Sequence, residues 1–158
     1  RLELHGVDVG DRWQGLIEES KNHLTNMELI FGTLHYLIVV TAAGDSEAQQ
    51  TILASLRNCA DQDTTPGRVS QRAGLAVAEA IGEAGRSDFA KAARRLQTVR
   101  YHLDEIGGST AQRDLFEMIM LDAAVKGGEN DFARGLLSDR IARKPNARWA
   151  QDKLATLA

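Results

Sequence analysis

The sequence predicts an all-α chain of about eight helices, three helix pairs plus flanking helices, wound as an α-α superhelix. Three short stretches read alike: Ala43-Gly44-Asp45-Ser46-Glu47-Ala48, Ala84-Gly85-Arg86-Ser87-Asp88-Phe89-Ala90 and Lys126-Gly127-Gly128-Glu129-Asn130-Asp131-Phe132-Ala133. Their closing alanines stand 42 and 43 residues apart. Recurrence at a fixed period of roughly 20 to 50 residues marks a solenoid, in which each unit buries its apolar face only by stacking on the next. The two prolines, Pro66 and Pro145, both fall between periodic segments, so every apolar stripe is free to run as an unbroken helix. No segment alternates with a two-residue period and β-branched enrichment, and no sheet is expected.

Taken in order, the first helix follows Asp11 and carries Trp13, Leu16, Ile17, Ser20 and Leu24 on one narrow stripe. A second, from about Asn26 to Ala43, is apolar on nearly every side and must be buried between neighbours. Gly44 stops it. Ser46 and Gln49 have capping-box spacing and open a third helix with Ile52, Leu53, Leu56 and Cys59, completing the first pair.

A polar linker, residues 61–67, ends in Thr65-Pro66, a helix-entry signal. The next helix puts Ala73, Ala76, Val77, Ala80, Ile81 and Ala84 on one face, small residues that admit a close neighbour. Its partner carries Phe89, Ala92, Ala93, Leu96, Val99, Leu103 and Ile106 and ends at Gly107-Gly108. Ser109 and Gln112 repeat the capping box before Leu115, Phe116, Ile119, Met120 and Ala123, and a helix with Phe132, Leu136, Leu137 and Ile141 closes the third pair. Lys144-Pro145-Asn146 interrupts the chain before a terminal capping helix with Trp149, Leu154 and Leu157.

At 158 residues the chain is expected to form one domain, 1–158, with an ordinary hydrophobic share of 43% and charged share of 26%. The net charge is -3, with 19 basic and 22 acidic residues intermixed, which disfavours nucleic acid as a partner. Residues 29–43 form the longest apolar run, too short for a bilayer span and interrupted by His35, so no membrane partner is expected. One cysteine, Cys59, excludes an intrachain disulfide and a cysteine-based zinc site, and the four histidines lack ligand spacing, so no metal or other cofactor is expected. A reducing, cytoplasmic setting fits that cysteine usage. The chain opens on Arg1 rather than methionine and is read as part of a longer protein.

The recurring pattern of small residue, glycine, polar residues, aromatic and alanine resembles the turn between the two helices of a tetratricopeptide repeat, and Lys144-Pro145-Asn146 resembles that repeat's terminal turn. The period is longer than the 34 residues of the standard unit. More specifically, Ile106-Gly107-Gly108-Ser109-Thr110-Ala111-Gln112-Arg113-Asp114-Leu115-Phe116, with Phe31-x-x-x-His35 and Leu137 through Asn146, looks like the C-terminal half of the tetratricopeptide repeat protein 38 family. The resemblance implies a tetratricopeptide-like fold and an absent N-terminal helical half. It implies no particular reaction.

Candidate partner contacts are His35, Arg72, Gln112 and Arg113. His35 lies within the most apolar helix, where an imidazole needs a hydrogen-bond partner; it is either a ligand contact or general base, or a core histidine bonded to a neighbouring helix. Gln71-Arg72 and Gln112-Arg113 open the first helix of two successive pairs, where an arginine opposes the helix dipole at a cost of roughly 0.3 to 1 kcal/mol. Either a carboxylate such as Asp114 or Glu117 compensates, or the arginines line the concave wall and grip a partner's carboxylate. Trp13 and Trp149 read as packing anchors and Cys59 as inert core. No nucleophile elbow, phosphate loop or dinucleotide fingerprint occurs. The expectation is therefore a scaffold that binds a protein or peptide on its concave face, without catalysis. The alternative is an enzyme or ligand-binding domain completed by an absent half, and self-association through the ends of the stack is a further possibility.

Overall fold

The structure is a computed structural model that describes residues 1–157. Two short 3-10 turns, Glu3–His5 and Gly10–Trp13, lead into α1 (Gln14–Lys21), and α2 (Ile30–Ala42) and α3 (Ser46–Ala60) follow. α4 is continuous over 65–85 but built of three pieces: Thr65–Val69, a π-helical turn at Ser70–Gly74, and Leu75–Gly85. α5 (Phe89–Val99) ends in a 3-10 turn, Arg100–His102, after which come α6 (Thr110–Lys126), α7 (Asn130–Arg143) and α8 (Arg148–Thr156). The described residues are thus all-helical, with eight α-helices and no strand.

The three similar stretches adopt one turn. In each, the residue after the C-cap is left-handed: Gly44 at φ 76°, Ser87 at 63° and Gly128 at 72°. The next amide then bonds back to the carbonyl five residues earlier, Asp45 to Val40, Asp88 to Glu83 and Glu129 to Ala124, each at 2.9 Å. This Schellman arrangement satisfies carbonyls that a helix end otherwise leaves open. Ser87 carries a side chain in a conformation that favours glycine.

Two of the expected caps behave differently. Ser109 and Gln112 do form a reciprocal capping box. At the start of α3, however, the cap is Asp45, whose carboxylate accepts from the Ala48 amide at 3.0 Å, while Ser46 is already helical and Gln49 turns back to donate to Thr41 Oγ1 at 2.8 Å. The Schellman turn at Gly44 delivers Asp45 to the capping position, one residue ahead of the serine.

The core runs through α2 to α8. Leu34, Leu37, Ile52, Leu56, Leu96, Phe116, Met120 and Leu137 are fully buried, each contributing about 1.5 to 3 kcal/mol of hydrophobic burial. Each helix packs chiefly on its sequence neighbours, and α2 also lies against α4. Small residues set that spacing: a β-carbon at Gly74 would stand 2.6 Å from Ile30 Cγ2. Salt bridges tie α3, α4 and α5 in series, from Arg57 to Glu79, Glu79 to Arg95, Arg95 to Glu83 and Glu83 to Lys91.

The segment before α1 crosses the helices as a strap. Arg1 donates to Asp114 Oδ2 at 3.0 Å and to the Ala111 carbonyl at 2.6 Å, and the His5 ring meets Trp149 edge-on at 5.6 Å. No residue of either 3-10 turn is buried.

Candidate functional site

The apolar stripe of α5 continues past its end through Val99, Leu103 and Ile106, all buried, so the intervening Arg100, Tyr101 and His102 are turned away from the core by the 3-10 turn. Tyr101 is 81% exposed, the most exposed large side chain of its kind among the described residues. The Arg100 guanidinium lies 5.2 Å from its ring centroid, within cation–π range.

Beside this outcrop a cleft of about 380 Å³ opens between the 100–103 turn and α7, floored by α6. Leu103, Leu121 and Leu136 give it an apolar lining over the buried Met120, and Arg100, Arg140, Arg143, Glu117 and Asp139 supply its polar groups. A second compartment of about 240 Å³ shares Arg100, Tyr101, Leu103, Glu117 and Arg143 and adds Asp104, Thr110 and Arg113.

Ion pairs hold the rim. Arg100 pairs with Asp139 across the cleft, and Arg143 meets Glu117 through two hydrogen bonds of 3.1 and 2.8 Å, an arrangement that strengthens the hold of Arg143 on its proton. Arg140 is buried behind the rim, 2.5 Å from Asp114 Oδ1, with its guanidinium 4.9 Å from the Trp149 ring centroid. Its Nε has no hydrogen-bond partner among the described residues.

No family model matches this chain, and no solved structure matches it. The site is therefore read from its own residues.

Of the four expected contacts, only Arg113 lines the cleft. Its guanidinium donates to the carbonyls of Gly107 and Gly108 and to Thr110 Oγ1, so peptide oxygens, rather than the expected carboxylate, offset its place at the start of α6. Arg72 pairs instead with Glu105 at 2.9 Å, in the turn leading to Gly107, and His102 Nδ1 shares that carboxylate at 2.8 Å. The Gln112 side chain accepts from the Ser109 amide at 2.8 Å and so serves the cap of α6. His35 is half-buried; its Nδ1 donates to the Phe31 carbonyl of its own helix at 2.8 Å, and its ring packs on Phe31 at 4.4 Å and Phe116 at 5.5 Å.

These four residues nonetheless gather around one feature, the 103–109 turn. Arg72, Gln112 and Arg113 hold it by hydrogen bonds or charge, and His35 packs on the Phe31 ring that abuts Gly108.

Sequence reasoning passed over Arg100 and Tyr101. A continuous helix to Ile106 would have hidden them among ordinary exposed positions. The sequence carried no local signal for them, because Val99 and Leu103 keep regular helical spacing across Arg100-Tyr101-His102.

Proposed function

We propose that this chain is a helical-repeat interaction module of the tetratricopeptide kind, its pairs stacked as a short superhelix, which docks a segment of a protein partner in the cleft between the 100–103 turn and α7. The observation that carries this reading is the exposed Tyr101 with Arg100 across its ring, standing beside an apolar-floored cleft. Tyrosine and arginine are enriched at binding hot spots, tyrosine because it brings large rigid contact area at small entropic cost and arginine because it brings several hydrogen-bond donors in one planar fork. The three like turns support the repeat architecture, and the likeness of residues 106–116 to the tetratricopeptide repeat protein 38 family belongs to the same proposal. A cytoplasmic setting suits Cys59, a free and buried thiol. No helix among the described residues is long and apolar enough to cross a membrane.

The test is affinity capture from native lysate on wild-type chain and on Tyr101→Ser in parallel, with bound proteins read by mass spectrometry. An exposed side chain of this kind contributes little to folding, so both baits should melt alike, within roughly 0.5 kcal/mol. A saturable protein partner held by wild type and lost by Tyr101→Ser supports the reading; equal retention on both baits puts the docking site elsewhere.

A further inference from the structure

The strap ahead of α1 lies in a groove between α6 and α8 and fills it only in part. Leu4, His5 and Gly6 form one wall of an open cavity of about 340 Å³, and Met118, Leu121 and Val125 of α6 with Trp149 of α8 form the other. Met118 and Leu121 are buried, while Leu4, Val125 and Trp149 keep part of their surface exposed. An apolar cavity of this size with a few polar groups, here Asp122 and Lys153, is of the kind that takes a ligand. Across it the strap forgoes the close contacts that a fully packed segment would make.

The strap is held at two points. Arg1 gives one N–H to Asp114 Oδ2 at 3.0 Å and another to the Ala111 carbonyl at 2.6 Å, and the His5 ring meets Trp149 edge-on. No residue of the Glu3–His5 turn is buried, and Leu2 and Val7 on either side of it are exposed. Exposed ion pairs contribute little to a fold, so this hold is weak. Lifting the strap also leaves its groove intact. Asp114 divides its oxygens, Oδ1 to Arg140 at 2.5 Å and Oδ2 to Arg1, so the buried Arg140 keeps its partner while Oδ2 and the Ala111 carbonyl stay behind as acceptors.

We propose that residues 1–7 are an autoinhibitory occupant of a second docking groove, and that its external ligand is a protein segment with the strap's own pattern: an arginine, a leucine-sized or larger apolar residue three positions on, and a ring directly after it. The strap itself shows which chemistry the groove accepts, a guanidinium at Asp114 and Ala111, an apolar side chain over α6 and a ring against Trp149. Tethered to α1, it competes through its high local concentration rather than through strong contacts. An external segment then binds with an affinity reduced by the fraction of chains whose groove is open. The groove stands independently of the cleft beside Tyr101.

The probe is a synthetic peptide of residues 1–7, capped at both ends so that no terminal charge takes part, titrated into isotope-labelled full chain while backbone amide shifts are followed by NMR. Wild type is compared with Arg1→Ala/Leu4→Ser, whose strap is weakened; both should melt alike, because no residue of the strap's turn is buried. On the weakened chain the peptide should shift amides of α6 and α8 saturably, and on wild type it should bind about fivefold more weakly or worse. The Arg1→Ala peptide should no longer saturate, and a Leu4→Phe peptide, with more surface to place in the cavity, should bind more tightly. Tyr101→Ser protein should give the wild-type titration. Should the double variant prove unfolded, Arg1→Ala protein makes the same comparison. Equal affinity for wild type and weakened chain overturns autoinhibition. No saturable shift, shifts outside α6 and α8, or binding that ignores the arginine overturns the groove as a docking site.

Discussion

Arg95 clasps the Glu83 carboxylate across the α4–α5 interface, with Nε 3.1 and 3.0 Å from the two oxygens and Nη2 2.7 Å from one. Glu83 is 3% exposed, and Lys91 approaches it at 3.3 Å. Burial alone would raise its pKa, but the Arg95 and Lys91 contacts outweigh burial and hold it below the ordinary carboxylate value. A carboxyl whose folded pKa is depressed stabilises the fold above its unfolded pKa, and that contribution is lost as pH falls through the folded value. Glu83→Gln should therefore cost roughly 1 to 3 kcal/mol at pH 7, and the gap from wild type should be narrower at about pH 3, below the ordinary carboxylate range. Urea unfolding at the two pH values measures this; a gap of constant size would show that the charge of Glu83 contributes nothing.

Gly108 should not tolerate alanine. Its φ is +74°, and a β-carbon there would stand 2.5 Å from the Phe31 ring. The left-handed backbone costs about 1 kcal/mol and the overlap a further ~1 to 3 kcal/mol. Phe31→Leu should relieve the overlap and leave the backbone term, so a double-mutant cycle on thermal unfolding should give a favourable coupling of about 1 kcal/mol or more. Strict additivity would mean that the ring moves aside without cost.

Arg72 and Arg113 should separate in experiment although they look equivalent in sequence. Arg72→Ala removes an exposed ion pair to Glu105 and should cost no more than about 1 kcal/mol, with partner capture retained. Arg113→Ala removes its bonds to the Gly107 and Gly108 carbonyls and should lower stability by roughly 0.5 to 1.5 kcal/mol as well as abolish capture. Melting curves and capture on the same two variants decide the matter; matched behaviour would refute the separation.

Asp114 is the point where Arg1, Arg140 and Lys144 meet, at 3.0, 2.5 and 3.9 Å. Asp114→Asn should release the N-terminal strap, seen as faster amide exchange confined to residues 1–7, and should destabilise the chain by more than an exposed pair would, because Arg140 is buried. Unchanged exchange in the strap would show that its other contacts suffice.

The helices were legible in sequence because each is a local matter of period and cap: the stripes of α3, α5 and α6, and the box at Ser109 and Gln112, need no knowledge of the rest of the chain. The cap at Asp45 was misjudged by one residue because the backbone of the preceding turn, rather than side-chain preference, chooses which residue caps. The closing alanines of the three like stretches mislead slightly for the same reason. Ala48, Ala90 and Ala133 stand third, second and fourth after their respective caps Asp45, Asp88 and Glu129, while the Schellman turns themselves coincide. The π-helical turn in α4 was hidden, since it becomes visible only where Gly74 meets Ile30 from another helix. The cleft was hidden because its walls come from residues some 40 positions apart, as Arg100 and Asp139 do.

The strap has a consequence for the order in which the chain folds. Most packing here joins sequence neighbours, which favours rapid folding. The bond from Arg1 to Asp114 spans 113 positions, and closing so long a loop in an unfolded chain costs about 4 kcal/mol in entropy, far more than one exposed ion pair returns. The strap can therefore dock only after the intervening helices have brought α6 into place. It is the last of these contacts to form, and it can lift without requiring any helix pair to part.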